Sequence, residues 1–585
     1  MNIHKIFGTA LLHAWAVAVF AIPAKPGQWR TLHLTDGTEV RAELRGDEYG
    51  AYWMDKEGNA YVLATEGYGV AAEEGYGVAT EGFVVAADGC YRKADLQQIV
   101  SQSRRARSAA NATRATRASA PGKFTGKKRG LIILVEFNKR SATSTPAKTF
   151  THPDAATYYD RVANEVNFTD PEVGFKGSVH DYFLAQSYGQ FEFNFDVVGP
   201  YRLPNPYNYY GQDDGTMLDT HLGQLIYDAC DWANDEVDFT QYDWDGDGVV
   251  DQVFILYAGQ GQNVNGEDTG LIWPQEGTLN AFGSDQKPFQ MDGVTIDNFA
   301  CSCELGEGER LDGIGTICHE FSHCFGLPDM YDKGTFGATT LNYGTYVWDL
   351  MNMGNYLDNG YQPAGYTAYQ RAFCGWMTLK ELSESQDIQH MKPLAEAPEA
   401  YIIYNEGHRD EYYIVENRQQ TGCDAGLPGS GLLISHVDYS EEAWKSNNIN
   451  TGRERFGILA ADNTWQMVDY KEWAQQAGEM GGDLYPYQGN NALTATTVPA
   501  ATVNHPNQDG SLLMKKDLTD IEQHADGTVS FRFTNHLATG IGSVKAGDSQ
   551  APCYNLSGQR MASPRGIYIQ DHRVKVGSQE TQRKN

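Results

Sequence analysis

Residues 317–332 read ICHEFSHCFGLPDMYD, and no other stretch restricts the chain as tightly. On a helix, side chains four apart share a face, so His319 and His323 present their imidazoles together. Zn2+ accepts such nitrogen ligands, and a catalytic site needs three protein ligands plus an open position for water. Glu320 is next to His319 and angled toward that open position. There it can take a proton from the water and pass it to a leaving amine. His-Glu-x-x-His alone recurs by accident in long chains, but its continuation is specific. Gly326 suits the left-handed conformation that ends a helix, and Pro328 stops the helix from resuming. Asp329 then falls where the returning chain offers a carboxylate to the ion. The expected ligands are His319, His323 and Asp329, with Glu320 as general base and Gly326 as the structural turn. The bland alternative is a buried helix with two satisfied histidines.

HEFSHCFGLPD resembles the metzincin pattern, in which HExxHxxG is followed by a third ligand, usually His and here Asp329. With Asp in that place it is similar to the immune inhibitor A type of secreted bacterial metallopeptidase, the M6 family. WDLMNMG, about twenty residues beyond Asp329, resembles the methionine turn of such enzymes and makes Met351 its structural residue. GSVHDYFLAQSYGQF, YDWDGDGVVDQVFILYAGQG, LIWPQEG, YYIVENRQQ and LPGSGLLISHVDY resemble M6 segments in the same order, as does WRTLHLTDGTEVRAELRGDEYGAYW. Gln275 departs from the pattern, which would have histidine there. So does the cysteine-rich surround of the helix. No tyrosine follows the methionine at the usual spacing, and Tyr346 and Tyr356 are the substitutes. The resemblance implies an α+β, metzincin-like zincin domain, with a twisted mixed sheet and an active-site helix. It also implies secreted endopeptidase activity on protein or peptide substrates.

At 585 residues the chain exceeds one ordinary domain. The N-terminus has Lys5 before an apolar run from Ile6 to Ile22, closed by small residues, with Ala21 and Ala24 as cleavage candidates. Residues 1–24 read as a secretory signal peptide, which leaves no stable membrane insertion after its removal. Residues 25–123 read as a β-rich propeptide and linker. TLHLTDGTEVRAEL and AYWMDKEGNAYVL are hairpin patterns, and three short TEGYGVA-like copies follow. SQSRRARSAANATRATRASAPGK at 101–123 is basic and without core residues, so Arg104, Arg105 and Arg107 invite an activating protease. The expected product is a zymogen. Residues 124–380 alternate strand and helix patterns, from RGLIILVEF to the zinc-like helix, and read as the catalytic domain. Residues 381–536 read as a β-rich C-terminal region. Residues 537–585 read as a linker and a β-hairpin-like tail, which resembles sorting segments of exported Bacteroidetes-type proteins. The expected location is secreted or cell-surface.

The formal charge of −31 gives no basic footprint and excludes nucleic acid as a partner. Some of the carboxylates point to Ca2+. YDWDGDGVVDQ sets Asp243, Asp245 and Asp247 at alternating spacing before Gly248, like the first part of an EF-hand loop. Val249 would offer its carbonyl and Asp251 would stand for the missing glutamate. This makes a candidate structural Ca2+ site, against the plainer reading of an acidic turn. Nine cysteines form no ribbon or dense scaffold. Cys318 and Cys324 read as buried small residues or as partners of Cys301 or Cys303, and Cys90 as a weak candidate for capping the zinc. His436 shares a strand with Asp438 and reads as a structural hydrogen-bonding residue, with a substrate-site role as the alternative. No GxSxG elbow supports a serine hydrolase. The competing function is a catalytically weak surface or binding protein on a peptidase scaffold.

Overall fold

The computed structural model describes residues 20–537 except 48–49, 65–90, 97–98, 100–123, 140–146, 214–217, 266–267, 269, 281–284, 334–341, 343 and 465–479. It also describes the backbone of four short strands between 553 and 577. The seven-residue repeats, Cys90 and the basic linker lie outside the described residues.

A two-residue strand, β1 (Phe20–Ala21), precedes an antiparallel meander of five strands: β2 (Trp29–His33), β3 (Glu39–Asp47), β4 (Gly50–Asp55), β5 (Ala60–Leu63) and β6 (Tyr91–Ala94). The first hairpin turns at Gly37, whose φ of 85° favours glycine. Trp53, Leu44 and Tyr91 make its small core, and Trp273 of the next unit packs into it.

The central sheet contains β7 (Gly126–Phe137), β8 (Phe191–Leu203), β9 (Val253–Gln260), β10 (Gln275–Thr278) and, after the hairpin β11 (Phe289–Met291) and β12 (Val294–Ile296), β13 (Asn298–Leu305). Its order is β1-β10-β13-β9-β7-β8. The inner strands run parallel, while β10 and β1 run antiparallel at one edge, so the sheet is mixed. RGLIILVEF is apolar throughout because both faces of β7 are covered. Ile132 and Leu134 enter one core, and Leu131, Ile133 and Val135 enter the other. Helices α1 (Ala155–Asn164) and α2 (Val179–Gln186) contribute to the first core, α3 (Leu222–Ala233) to the second. Ser178 and Asp181 cap α2 reciprocally.

The motif helix α4 (Ile314–His323) packs on the first face. Phe321 lies two residues from each histidine and so points the other way. It stacks on Phe254 with centroids 4.7 Å apart and meets Phe193 at 5.3 Å and Phe195 at 5.1 Å. Burying such a ring contributes about 2–3 kcal/mol, and each well-set aromatic pair about 1 kcal/mol more. Gly315 allows the helix to touch the segment at 353–360, since a Cβ there would stand 1.9 Å from the Asn355 carbonyl oxygen.

After α5 (Ala368–Phe373), β14 (Lys380–Glu381), β16 (Ala400–Tyr404), β17 (Glu411–Arg418), β18 (Gly431–Asp438) and β19 (Phe456–Ile458) form a second sheet. A smaller one contains β15 (Gln386–Met391), β20 (Lys516–Gln523) and β21 (Val529–Asn535). A short helix, α6 (Glu441–Lys445), follows β18. Arg418 is fully buried and ties this region to the motif side. Its guanidinium donates to Asp424 at 2.7 and 2.9 Å, to Glu416 at 3.1 Å, and to the carbonyls of Trp348 and Gly365. Losing one partner of such a buried pair costs about 3–5 kcal/mol. The tail strands at 553–577 form a four-stranded antiparallel sheet.

Candidate metal centre

The helix ends as its residue types dictate. Cys324, Phe325 and Gly326 donate to carbonyls three residues back, and Gly326 has φ 87°. The chain turns back, and Asp329 arrives beside the two histidines.

Each imidazole is fixed by a backbone carbonyl. His319 Nδ1 bonds the Leu350 carbonyl at 2.9 Å, and His323 Nδ1 bonds the Leu327 carbonyl at 2.7 Å. A carbonyl only accepts, so each Nδ1 carries its proton and each Nε2 turns a lone pair inward. The two Nε2 atoms are 3.2 Å apart, and Asp329 Oδ1 lies 3.2 Å and 3.4 Å from them. Three acceptors thus converge where no proton joins them all, an arrangement that a cation relieves. Bonds of 2.0–2.1 Å in tetrahedral geometry would space ligands about 3.3 Å apart, so the residues present fit such an ion. Together they form a buried group able to hold a metal.

The electrostatics agree with that donor set. Burial pushes the His323 imidazole down to about 4 against the pull of Asp329, which keeps it neutral. Burial alone would raise the Asp329 carboxyl, but the Lys333 ammonium beside it holds it well below the usual range. Lys333 Nζ donates to Asp329 Oδ2 at 2.8 Å, and Asn447 Nδ2 donates to the same oxygen at 2.7 Å. Asn447 Oδ1 also accepts from the Asp329 backbone N–H at 2.8 Å. One carboxylate oxygen is held and the other is free to face the histidines. Lys333 stands four residues after Asp329, a spacing the sequence displays. Asn447, 118 residues away, carries no local signal.

Met351 is buried, and its carbonyl accepts from the Met330 N–H at 2.7 Å. Asp349 shapes this turn by accepting from the Met351 N–H, Thr345 and Gln370. The turn therefore supplies the Leu350 carbonyl that orients His319.

Glu320 is fully buried, and its Oε1 accepts the Ile22 N–H at 3.2 Å. Residues 20–25 run past this carboxylate. Phe20 and Ala21 pair with Glu276 and Gln275, Trp273 Nε1 donates to the Ile22 carbonyl at 2.9 Å, and the Tyr356 hydroxyl donates to the Pro23 carbonyl at 2.7 Å. Lys25 bonds Asn359 at 3.1 Å and pairs with Glu307 at 3.2 Å. The contact of this segment with the Glu320 carboxylate is not apparent from the sequence. Gln275, on β10, bonds Asp219 at 2.7 Å.

Residues 116–377 match the model of the immune inhibitor A peptidase M6 catalytic domain. Similar chains include the pre-pro-metalloprotease PrtV of Vibrio cholerae serotype O1, 24% identical over 265 residues, covering 39% of this chain and 27% of that protein. Immune inhibitor A of Bacillus thuringiensis subsp. alesti is 25% identical over 282 residues, covering 42% of this chain and 39% of that protein. A putative secreted metallopeptidase of Arthroderma benhamiae is 22% identical over 393 residues, covering 53% and 56%. The chain thus spans between about a quarter and just over half of these relatives' lengths. No helix among the described residues is long and apolar enough to cross a membrane.

The acidic loop is a different construction. Asp243, Asp245 and Asp247 bring one oxygen each within 4.8 Å of one another, at half-exposed or exposed positions. Asp243 accepts from the N–H groups of Gly246, Asp247 and Gly248, and Asp247 accepts from the Val249 N–H. Asp251 is buried and closes the loop by accepting the Trp244 N–H at 2.6 Å. Val249 bridges to Thr295.

One expectation is corrected: Cys301, Cys303, Cys318 and Cys324 are buried and in no disulfide, so the disulfide alternative gives way to small apolar packing. His436 makes a structural hydrogen bond, to Glu411 at 2.8 Å, because this diagonal neighbour on β17 lies within reach of the ring.

Proposed function

We propose that the protein is an exported zinc endopeptidase made as a zymogen, with His319, His323 and Asp329 as zinc ligands and Glu320 as general base. The observation that carries this is the convergence of two inward-facing Nε2 atoms and Asp329 Oδ1 at 3.2–3.4 Å, with Glu320 one residue along the same helix. Zinc there supplies a Lewis acid and lowers the pKa of a water molecule. The chain's own groups do the rest. The carbonyls of Leu350 and Leu327 hold the imidazoles in the metal-binding tautomer, while Lys333 and Asn447 aim Asp329. Glu320 takes the proton of the attacking water and returns it to the leaving amine of the cleaved peptide bond.

Latency follows from residues 20–25. An extended segment that pairs with β10 and gives a backbone N–H to Glu320 occupies the place a substrate strand needs. Signal cleavage after Ala21 removes the two residues that pair with β10 and leaves Ile22 against Glu320, whereas cleavage after Ala24 removes Ile22 as well. An activating protease acting at the basic linker, Arg104 to Arg107, frees the domain once the N-terminal unit dissociates. Ca2+ at Asp243, Asp245, Asp247, the Val249 carbonyl and Asp251 has a structural role before β9. The tail at 537–585 serves export or surface attachment.

The test compares three proteins on an unfolded protein substrate: the chain from Ile22, the chain from Lys123, and the latter carrying Glu320→Ala. The reading expects cleavage only by the second, with zinc in both shortened forms. Equal cleavage by the first would remove latency, and zinc bound without any cleavage would favour a binding protein.

A further inference from the structure

A second convergence of metal-binding side chains lies in the C-terminal sheets. His408 is in the turn between β16 and β17, Asp438 ends β18, and His505 is in the segment between β19 and β20. One donor atom from each lies within 4.8 Å of the others. His505 Nε2 is 3.2 Å from Asp438 Oδ1, and the rings of His408 and His505 are 4.0 Å apart between centroids with planes 40° apart.

The surroundings hold these groups in place and leave their donor atoms facing each other. Asp438 is 2% exposed. Its Oδ2 is taken by the Arg453 guanidinium and by Asn504 Nδ2 at 3.1 Å, so Oδ1 is the oxygen left for the histidines. The backbone of His505 is clamped on both sides, its N–H donating to Glu411 at 3.0 Å and its carbonyl accepting from Asn405 at 2.9 Å. Glu411 also accepts from His436 and the Asn504 N–H. The turn carrying His408 is closed by two backbone bonds, His408 N–H to Asn405 and Glu411 N–H to His408. The ring nitrogens of His408 have no hydrogen-bond partner among the described residues. Two imidazoles and a buried carboxylate oxygen from three separate segments have therefore been brought together without a bond that joins all three.

We propose that His408, Asp438 and His505 form a second metal site, distinct from the peptidase centre, that takes a divalent ion of the zinc class. Two imidazole nitrogens and one carboxylate oxygen suit Zn2+, Co2+ or Ni2+, whereas Ca2+ and Mg2+ want an all-oxygen set. Three protein ligands leave a fourth position to water. The ion clips residues 493–515 to the β16–β17 turn and to the end of β18. The histidines are partly exposed, so this ion exchanges with chelator faster than the fully enclosed one.

The experiment loads the full-length protein with zinc, calcium being in excess to occupy the acidic loop, and counts bound zinc after gel filtration. About two equivalents are expected for the wild type, and about one for His408→Ala/His505→Ala and for His319→Ala/His323→Ala alike. Zinc should also raise the melting temperature of the His319→Ala/His323→Ala protein and leave that of the quadruple variant unchanged. Equal zinc in the wild type and in His408→Ala/His505→Ala overturns the site. Loss of zinc in His319→Ala/His323→Ala alone concerns only the peptidase centre, so the two readings fail separately. His408→Asn serves as a second variant, because a turn residue with no backbone role for its side chain leaves the fold intact.

Discussion

His319, His323 and Asp329 are shut away from solvent and fastened by carbonyls and side chains from elsewhere in the chain. Asp243, Asp245 and Asp247 stand at half-exposed or exposed positions, and the loop's own N–H groups fasten Asp243 and Asp247. In the first centre each donor atom is aimed by another group, Leu327 within the motif and Leu350, Lys333 and Asn447 beyond it. In the second, the carboxylates of Asp243, Asp247 and Asp251 accept from N–H groups of residues 244–249, and the rest of the protein holds the loop by its backbone and by Trp244, through Lys128, Arg129, Thr295 and Asn298. Donors fixed by remote groups exist before the ion arrives, so binding loses little to ordering. Carboxylates fastened by their own loop in water are under weaker constraint, and their affinity depends on that loop's turn residues.

The sharpest break in that comparison is catalytic. Glu320→Ala should lower kcat by about 10²–10⁴ while the zinc content, measured by elemental analysis, stays at the wild-type level. No substitution in the acidic loop should alter kcat by more than a few-fold once calcium is saturating. A loop variant that matched Glu320→Ala would mean that the two regions are not separable.

Asn447→Ala tests whether remote fastening matters. Removing a group that orients a metal-binding carboxylate typically weakens metal affinity about 10–100-fold. Competition against a chromophoric chelator reads this directly, and Asn447→Asp should be no better, since it places a second carboxylate beside Asp329. Wild-type affinity in Asn447→Ala would mean that Lys333 alone suffices to aim the ligand.

What was legible in the sequence follows the same line. The cluster of His319, His323 and Asp329 was readable because its signals are local: the two histidines share a helix face, and Gly326 with Pro328 forces the return that brings Asp329. The strand at 126–137 was readable because a run with both faces buried has to be apolar throughout. Asn447 was not, because nothing between α4 and α6 marks that residue as a neighbour of Asp329. Nor was the position of Ile22 against Glu320, since an apolar segment after Lys5 reads the same whether it ends a leader or lies in a cleft. His408, Asp438 and His505 each look ordinary alone, and only the pairing of β17 with β18 and the return of the 493–515 segment put them together. The acidic loop shows the limit from the other side. Its spacing was plain, but Asp251 is drawn inward to the Trp244 N–H, which spacing does not reveal.

Calcium should raise the melting temperature of the domain that carries the loop by several degrees. An ion at about 100 times its Kd adds about 2.7 kcal/mol, which shifts a domain of this size by roughly 2–4 °C per kcal/mol. The increment should vanish in Asp243→Ala/Asp247→Ala, because Asp243 also holds three of the loop's N–H groups. If the melting temperature ignores both calcium and its selective chelator, the loop is an acidic turn and the comparison has only one metal centre.

The smallest expected effect separates a preformed loop from one that the ion organises. Gly246 has φ 74°, and a Cβ there would meet nothing within 4 Å, so Gly246→Ala imposes backbone strain and no clash. That strain is about 1 kcal/mol. If the loop already holds this conformation without calcium, through the Asp243 and Asp247 bonds, the strain is present in both the free and the bound protein. It then appears as a slightly lower melting temperature with an unchanged Kd. If calcium imposes the conformation, the free loop relaxes, and the whole strain appears in binding as about a five-fold weaker Kd with the calcium-free melting temperature unmoved. Calorimetric titration and thermal unfolding of the one variant distinguish the two. The first outcome is expected, because the hydrogen bonds from Gly246, Asp247 and Gly248 to Asp243 close the turn without an ion.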